Sequence, residues 1–468
     1  MNFRRKLWWA QHRTEVYKYG TILSVVLIVT ISIIDFTYSK LTSTSEGLVM
    51  ETTVEPFIKN DYFIASYIDG EWSDEIPGKG DGYVVDKVVC DNGAIGTWDN
   101  VEWGINIRNA TQKIKCSVFF IVKQTSAKQI EALAATDTTN FATDDADNNI
   151  RYIGKDPNNY VYFNCSDYSN QSDSSCEKWR IIGVFKNVAK ADGSKEDLVK
   201  IIKDDRLNNT TIIWDYKQPG VGTSTSSYGS NDWTDSQLMM LLNPTDYLKS
   251  GYTIESGVVK DANGQAIYQN MGSYYNGTSG CQPASITSGS SFSCTSIDFT
   301  STGLKNDLTR NAIESVVWNL GGTLSYSYSS NGLASHWYGY ERGATVYSGH
   351  ATTWTGKVGL MYPSDYGYAT SGNSTTDRAT CLAKEIYNWN SASDCYNNDY
   401  LFKSYPQWTL SPYSSGSSYV FDVYTYGRVD CLYAFLTYGV RPVAFLKSNI
   451  FITSGDGSSA TPYQLNLQ

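Results

Sequence analysis

Nine cysteines and three histidines are the residues of this 468-residue chain best suited to covalent or metal chemistry. Cys90, Cys116, Cys165, Cys176, Cys281, Cys294, Cys381 and Cys395 fall into four neighbouring pairs that close short loops, and Cys431 is the odd one out. Such spacing predicts disulfides formed under oxidising conditions, each worth about 2–4 kcal/mol. Zinc fails on ligands: only His12, His336 and His350 are present, and no cysteine pair has the C-x-x-C spacing. A Ser/His/Asp hydrolase would have to recruit His336 or His350 from Tyr/Gly/Ser loops, and the chain has no G-x-S-x-G elbow. Glu341, Asp365, Asp377 and Glu385 leave a glycosidase pair open as an alternative, since sequence does not set their separations. The acidic run Asp144, Asp145 and Asp147 lacks the spacing of a calcium loop and reads as solvated linker. Asp456 reads as a turn residue. No cofactor is expected, with calcium the one open alternative.

Composition narrows the partners. Charged residues make up 18% of the chain, while 36 Tyr, 13 Trp and 38 Gly stand out. That mixture reads as strands and turns with a polar, weakly charged surface. A net charge of -10, with no Lys/Arg cluster beyond the first twenty residues, repels phosphate backbones, so nucleic acid is not an expected partner.

Positioning these residues requires a framework, which is read in order along the chain. Residues 1–18 form a basic tail and 19–38 an apolar stretch long enough to span a thin bilayer. The expectation is a single-pass membrane protein with a cytoplasmic N-terminus and extracellular domains, the helix itself serving as the contact with the membrane. Residues 39–60 read as linker, 61–123 as a small immunoglobulin-like β-sandwich with alternating apolar runs and a Cys90–Cys116 link, and 124–149 as a second linker. From 150 to 468 the chain reads as one long domain. Strands are expected at 160–163, 179–185, 198–203 and 211–214, and helices at 233–242, 305–320 and 376–389. The fold class expected is α+β.

Several segments of that long domain carry a family resemblance. Trp179-Arg180-Ile181-Ile182-Gly183, Asn231-Asp232-Trp233, Glu341-Arg342-Gly343, the run from Gly359 to Gly367, Trp408-Thr409-Leu410-Ser411-Pro412 and Tyr438-Gly439-Val440-Arg441-Pro442-Val443 succeed one another. This succession resembles surface proteins of gut Firmicutes whose last domain is similar to the C-type-lectin and formylglycine-generating-enzyme-like fold. The resemblance implies two to three helices on a β framework and a ligand face near the C-terminus. It implies no formylglycine-generating activity, because Cys381 and Cys395 are spaced as a loop-closing pair. The frame of that face would be strands at 408–412 and 440–446.

Between those strands the run from Val420 to Leu436 alternates, with Val423 and Val429 on one side and Asp422, Tyr424, Tyr426, Arg428 and Asp430 on the other. The ligand-binding residues expected are Tyr413, Asp422, Tyr424, Tyr426, Arg428, Asp430, Cys431, Tyr433, Phe435 and Leu436. Tyrosine, arginine and aspartate together supply amphipathic area and directional hydrogen bonds. Asp, Tyr, Arg, Cys, Leu, Ala and Phe are all reachable from Asn codons by changing adenines. Diversification by an adenine-mutating retroelement would therefore account for Cys431; a Tyr-rich hairpin with a buried cysteine is the alternative. The function expected is recognition or adhesion toward a protein or glycan, with a structural surface or pilus-associated protein and a surface hydrolase as alternatives.

Overall fold

The computed structural model describes residues 62–467 apart from 69–70, 74, 80–81, 217–228, 283–294 and 325–330. The chain forms two compact units divided between Lys123 and Gln124. In the first unit, alternation builds a core from one strand: Ile114, Cys116, Val118 and Phe120 are buried along Ile114–Val122. That strand pairs in parallel with Tyr62–Ile68 and antiparallel with Tyr83–Cys90. Glu71–Ser73 completes the four-stranded sheet. A second sheet, Ile95–Asp99 with Gly104–Arg108, contributes Ile105 and Ile107 to the same core. Cys90 and Cys116 stand opposite each other across the register and are bonded.

The second unit is organised around a seven-stranded sheet. Its order is Val358–Gly359, Val443–Phe445, Lys195–Lys203, Glu177–Ala189, Ile150–Tyr152 and Phe141–Ala142, with Tyr160–Phe163 also paired to Glu177–Ala189. Central strands covered on both faces carry near-continuous apolar runs, and Leu198, Val199, Ile201 and Ile202 are accordingly buried. Trp179, Trp214, Trp233, Trp318, Trp389 and Trp408 are buried too, and side chains of that size supply much of the apolar area this core removes from water. Cys165–Cys176 and Cys381–Cys395 are bonded as their spacing predicts. Cys281 is buried on Ser279–Gln282, and its expected partner Cys294 lies outside the described residues.

The α+β expectation is corrected: the described residues are mostly β, with 36% strand and 15% helix. Each expected long helix is broken by a tertiary pairing or a second cap. At 233–242, Asp232 caps a 3-10 turn Trp233–Asp235, after which Ser236 starts a new helix, Gln237–Leu242, by accepting from Met239 N. The helix expected at 305–320 begins at Asp307 and ends at Ala312. Val316–Asn319 then becomes a strand paired with Thr353–Gly356, because the β-branched Val316 and Val317 suit a pleated surface. At 376–389 a helix Arg378–Leu382 is followed by a 3-10 turn, Ile386–Asn388. In contrast, 124–149, expected as linker, holds the helix Ser126–Ala134 capped by Thr125.

The expected membrane-spanning stretch, 19–38, lies outside the described residues. No helix among the described residues is long and apolar enough to cross a membrane. The longest of them, Ser126–Ala134, has 9 residues, a rise of about 14 Å against a hydrocarbon core of roughly 30 Å. The single-pass placement, with its cytoplasmic N-terminus and extracellular remainder, is therefore not supported by the described residues.

Candidate functional site

The C-terminal segment folds as a three-stranded sheet of Gln407–Pro412, Tyr419–Val423 and Val429–Tyr433. Register puts Val423 opposite Val429 and Asp422 opposite Asp430, so the expected alternation of faces is present within the strands. The expected exposure is not. Asp422 is 0% exposed and Cys431 3%, because Asp422 also stands opposite Trp408 on the other neighbouring strand, and both faces of the hairpin are covered. Burial pushes the Asp422 carboxyl well above its usual range, the neighbouring Asp430 adding to the effect and Arg428 opposing it. Asp422 and Cys431 are therefore interior residues, not part of a presented surface.

What is presented lies at the turn and along one edge. The strands end at Val423 and restart at Val429, with Tyr424 N donating to Arg428 O at 2.9 Å and Gly427 N to Tyr424 O at 2.8 Å. Gly427 holds a φ of 83°, a left-handed conformation where a Cβ would also lie 2.9 Å from Trp389 O. Tyr424, Tyr426 and Arg428 thus project from a fixed turn. Tyr426 is 54% exposed and its ring sits 5.5 Å from that of Tyr424. Arg428 pairs with Asp430 at 2.6 Å and lies 5.1 Å above the Tyr387 ring and 5.7 Å from that of Tyr424.

Along the edge runs a series of half-buried rings. Tyr413 meets Tyr419 at 6.0 Å, Tyr419 meets Tyr433 at 4.3 Å, Tyr433 meets Phe435 at 5.6 Å, and Phe435 meets Tyr216 at 6.4 Å. Leu436 is half-buried just beyond. The backbone beneath the first two rings is held by Asn231, whose side-chain amide donates to the carbonyls of Tyr413, Gly416 and Tyr419 at 2.9, 2.8 and 2.7 Å. Thr323 bridges to Tyr413 from the other side. As site residues, Tyr216 and Tyr387 escaped the sequence reading and Asn231 entered it only within the segment Asn231-Asp232-Trp233, since all three lie roughly 40 to 220 residues from the hairpin they serve.

A second concentration of chemistry lies inside the seven-stranded sheet. Arg151, Lys200 and Asp365 are 1%, 0% and 1% exposed. Lys200 Nζ lies 2.5 Å from Asp365 Oδ2, Arg151 Nη1 3.0 Å from Asp365 Oδ1, and Arg151 Nε 2.8 Å from Asp145 Oδ2. Of the run Asp144, Asp145, Asp147, only Asp145 departs from the solvated expectation by being buried; Asp144 and Asp147 are exposed, though each has a partner. Asp144 pairs with Arg378 at 2.8 Å, Asp145 with Arg151, and Asp147 accepts from Tyr338 Oη at 2.6 Å. Burial drags Lys200 down to about 8 despite its carboxylate partner. Burial alone would raise Asp365, but Lys200 and Arg151 outweigh it and hold the carboxyl below its usual range. Beside this network Glu341, engaged by Ser364 N at 2.8 Å, is pushed by burial up to about 7. Of the four carboxylates considered for hydrolysis, Asp365 and Glu341 are thus locked inside, while Asp377 caps Arg378–Leu382 and Glu385 accepts from Asn388 at 2.8 Å. A cleft of about 200 Å³ reaches this region and is lined by Lys200, Phe185, Trp318, Tyr338, Tyr362 and Phe445 among others. The signals for the network were a cation amid apolar strand residues: Lys200 in Leu198-Val199-Lys200-Ile201-Ile202 and Arg151 in Ile150-Arg151-Tyr152.

No protein-family model, curated protein or solved structure matches the chain.

Proposed function

We propose that the second unit is a ligand-recognition module that binds a protein or glycan surface through the turn Tyr424–Arg428 and the adjoining ring series from Tyr413 to Phe435. The observation that carries this reading is the pairing of an exposed Tyr426 and a half-exposed Arg428 with four consecutive ring contacts on one edge, all built on a buried, pinned hairpin. Rigid aromatic anchors lose little conformational entropy on binding, and a neighbouring arginine adds direction. The interior charge network is a poorer binding surface, because Asp365 and Asp145 already engage both of its cations. Asp422 and Cys431 drop out of the contact set, and Tyr216 and Tyr387 join it. The test is binding of the full chain to arrays of glycans and of proteins, compared with Tyr424→Ala/Tyr426→Ala/Arg428→Ala, with near-ultraviolet circular dichroism as the check on folding. The expected result is a ligand bound by the native chain and lost by the folded triple variant. Equal binding by both would refute the assignment of this surface.

A further inference from the structure

We propose that Lys200 and Asp365 condense into an intramolecular amide that cross-links the central strand Lys195–Lys203 to the helix Pro363–Tyr368. The two groups are already in contact, Nζ to Oδ2 at 2.5 Å, and each side chain is 1% exposed. Contact within a fixed frame removes the translational cost of bringing amine and acid together, which for well-oriented groups is worth effective molarities of about 10⁵–10⁸ M. The surroundings are apolar on the lysine side: the ammonium lies 4.6 to 5.8 Å from the ring centres of Tyr362, Phe185, Phe445 and Trp318. Water that would hydrate the ion pair, or compete as nucleophile, is largely excluded there.

Its two cations hold Asp365 ionised, so the step begins with one Lys200 proton passing to Oδ2, which gives the neutral amine and the uncharged acid it adds to. Arg151 Nη1 donates to Oδ1 at 3.0 Å, where charge develops when an amine adds to the carboxyl carbon, and Tyr362 N donates to Oδ2 at 3.0 Å. Lys200, drawn down to about 8, is the neutral amine in roughly a tenth of molecules at pH 7. The atoms balance without any co-reactant. A bond forms between Nζ and Cγ and the bond from Cγ to Oδ2 breaks. Two of the three ammonium protons leave with Oδ2 as one water, and nothing is oxidised or reduced. The charges balance as well: Lys200 and Asp365 cancel, and Arg151 remains paired with Asp145 at 2.8 Å. Condensation therefore removes the two buried ion pairs that Asp365 makes, with Lys200 and with Arg151, relieving a desolvation cost of several kcal/mol per ion, and leaves Arg151 paired with Asp145. The cleft that touches Lys200 and Tyr362 gives the released water a way out.

Tandem mass spectrometry of the reduced, trypsin-digested full chain tests this directly. The expected product is a branched peptide uncut at Lys200, joined to the peptide carrying Asp365, and lighter than the two together by one water. Lys200→Arg should give two linear peptides of full mass. Two linear, unmodified peptides from the folded native chain would overturn the proposal. So would a water loss at Asp365 that persists in Lys200→Arg, which would mark a backbone succinimide instead.

Discussion

Asp422 has two carboxyl oxygens that meet no hydrogen-bond donor among the described residues, and the side chain opposite it on the hairpin is another carboxylate, Asp430. An ionised carboxylate in that position is costly, and the native state keeps its proton to a higher pH than the unfolded chain does. The group thus favours folding fully below the unfolded value near 4 and progressively less as pH rises from there toward the native value. Asp422→Asn, uncharged throughout, should be more stable than the native protein at pH 7 by about 1–2 kcal/mol and nearly equal to it at pH 4, as read by urea denaturation. A variant destabilised equally at both values would show that the carboxyl has a partner that the geometry does not reveal. This residue also shows where sequence reading stops. Alternation correctly separated Asp422 from Val423, but period two says only that faces differ, not which of them is covered; Trp408, opposite Asp422 across the sheet, decides that.

At the scale of elements, strands were more legible than helices. The strand expected at 160–163 is Tyr160–Phe163, and those at 179–185 and 198–203 extend to Glu177–Ala189 and Lys195–Lys203. Apolar β-branched runs bounded by Gly, Asn or Asp carry their own limits. The helices failed for a shared reason: apolar residues four apart also serve a short helix followed by a strand, and the pairing of Trp318 with Trp354 that settles the matter is long-range. The ring series depends on one such long-range element, the loop before Trp233. Asn231→Ala removes a donor from three half-buried carbonyls, those of Tyr413, Gly416 and Tyr419, of which Tyr419 O keeps Tyr413 N as donor. It should cost about 1–3 kcal/mol and raise hydrogen exchange across 413–419, while leaving Lys195–Lys203 protected. Unchanged exchange in that loop would mean that Asn231 does not hold it.

For the whole second unit, buried carboxyls set the response to pH. Burial pushes Glu341 and Asp399 up to about 7 and raises Asp215 and Asp422 well above the carboxylate range. Between about pH 4 and 7 the native state therefore binds more protons than the unfolded chain, and stability should fall as pH rises through that window. Thermal melting should move upward on acidification from pH 7.5 to about 5.5. A melting temperature that falls over the same interval would mean that these carboxyls are ionised and paired in the native state. None of the four announces itself in sequence, because an acid within a Tyr/Gly-rich run looks the same whether a tryptophan or water lies above it.

The most direct test of the recognition reading is the affinity ratio between native chain and Tyr424→Ala/Tyr426→Ala/Arg428→Ala for the ligand that the arrays select, measured by titration calorimetry. Loss of two aromatic anchors and an arginine should weaken binding at least about tenfold, ~1.4 kcal/mol, without changing the melting temperature by more than the small shift expected of surface truncation. A ratio of one in a folded variant would place the ligand elsewhere on the molecule and contradict the account.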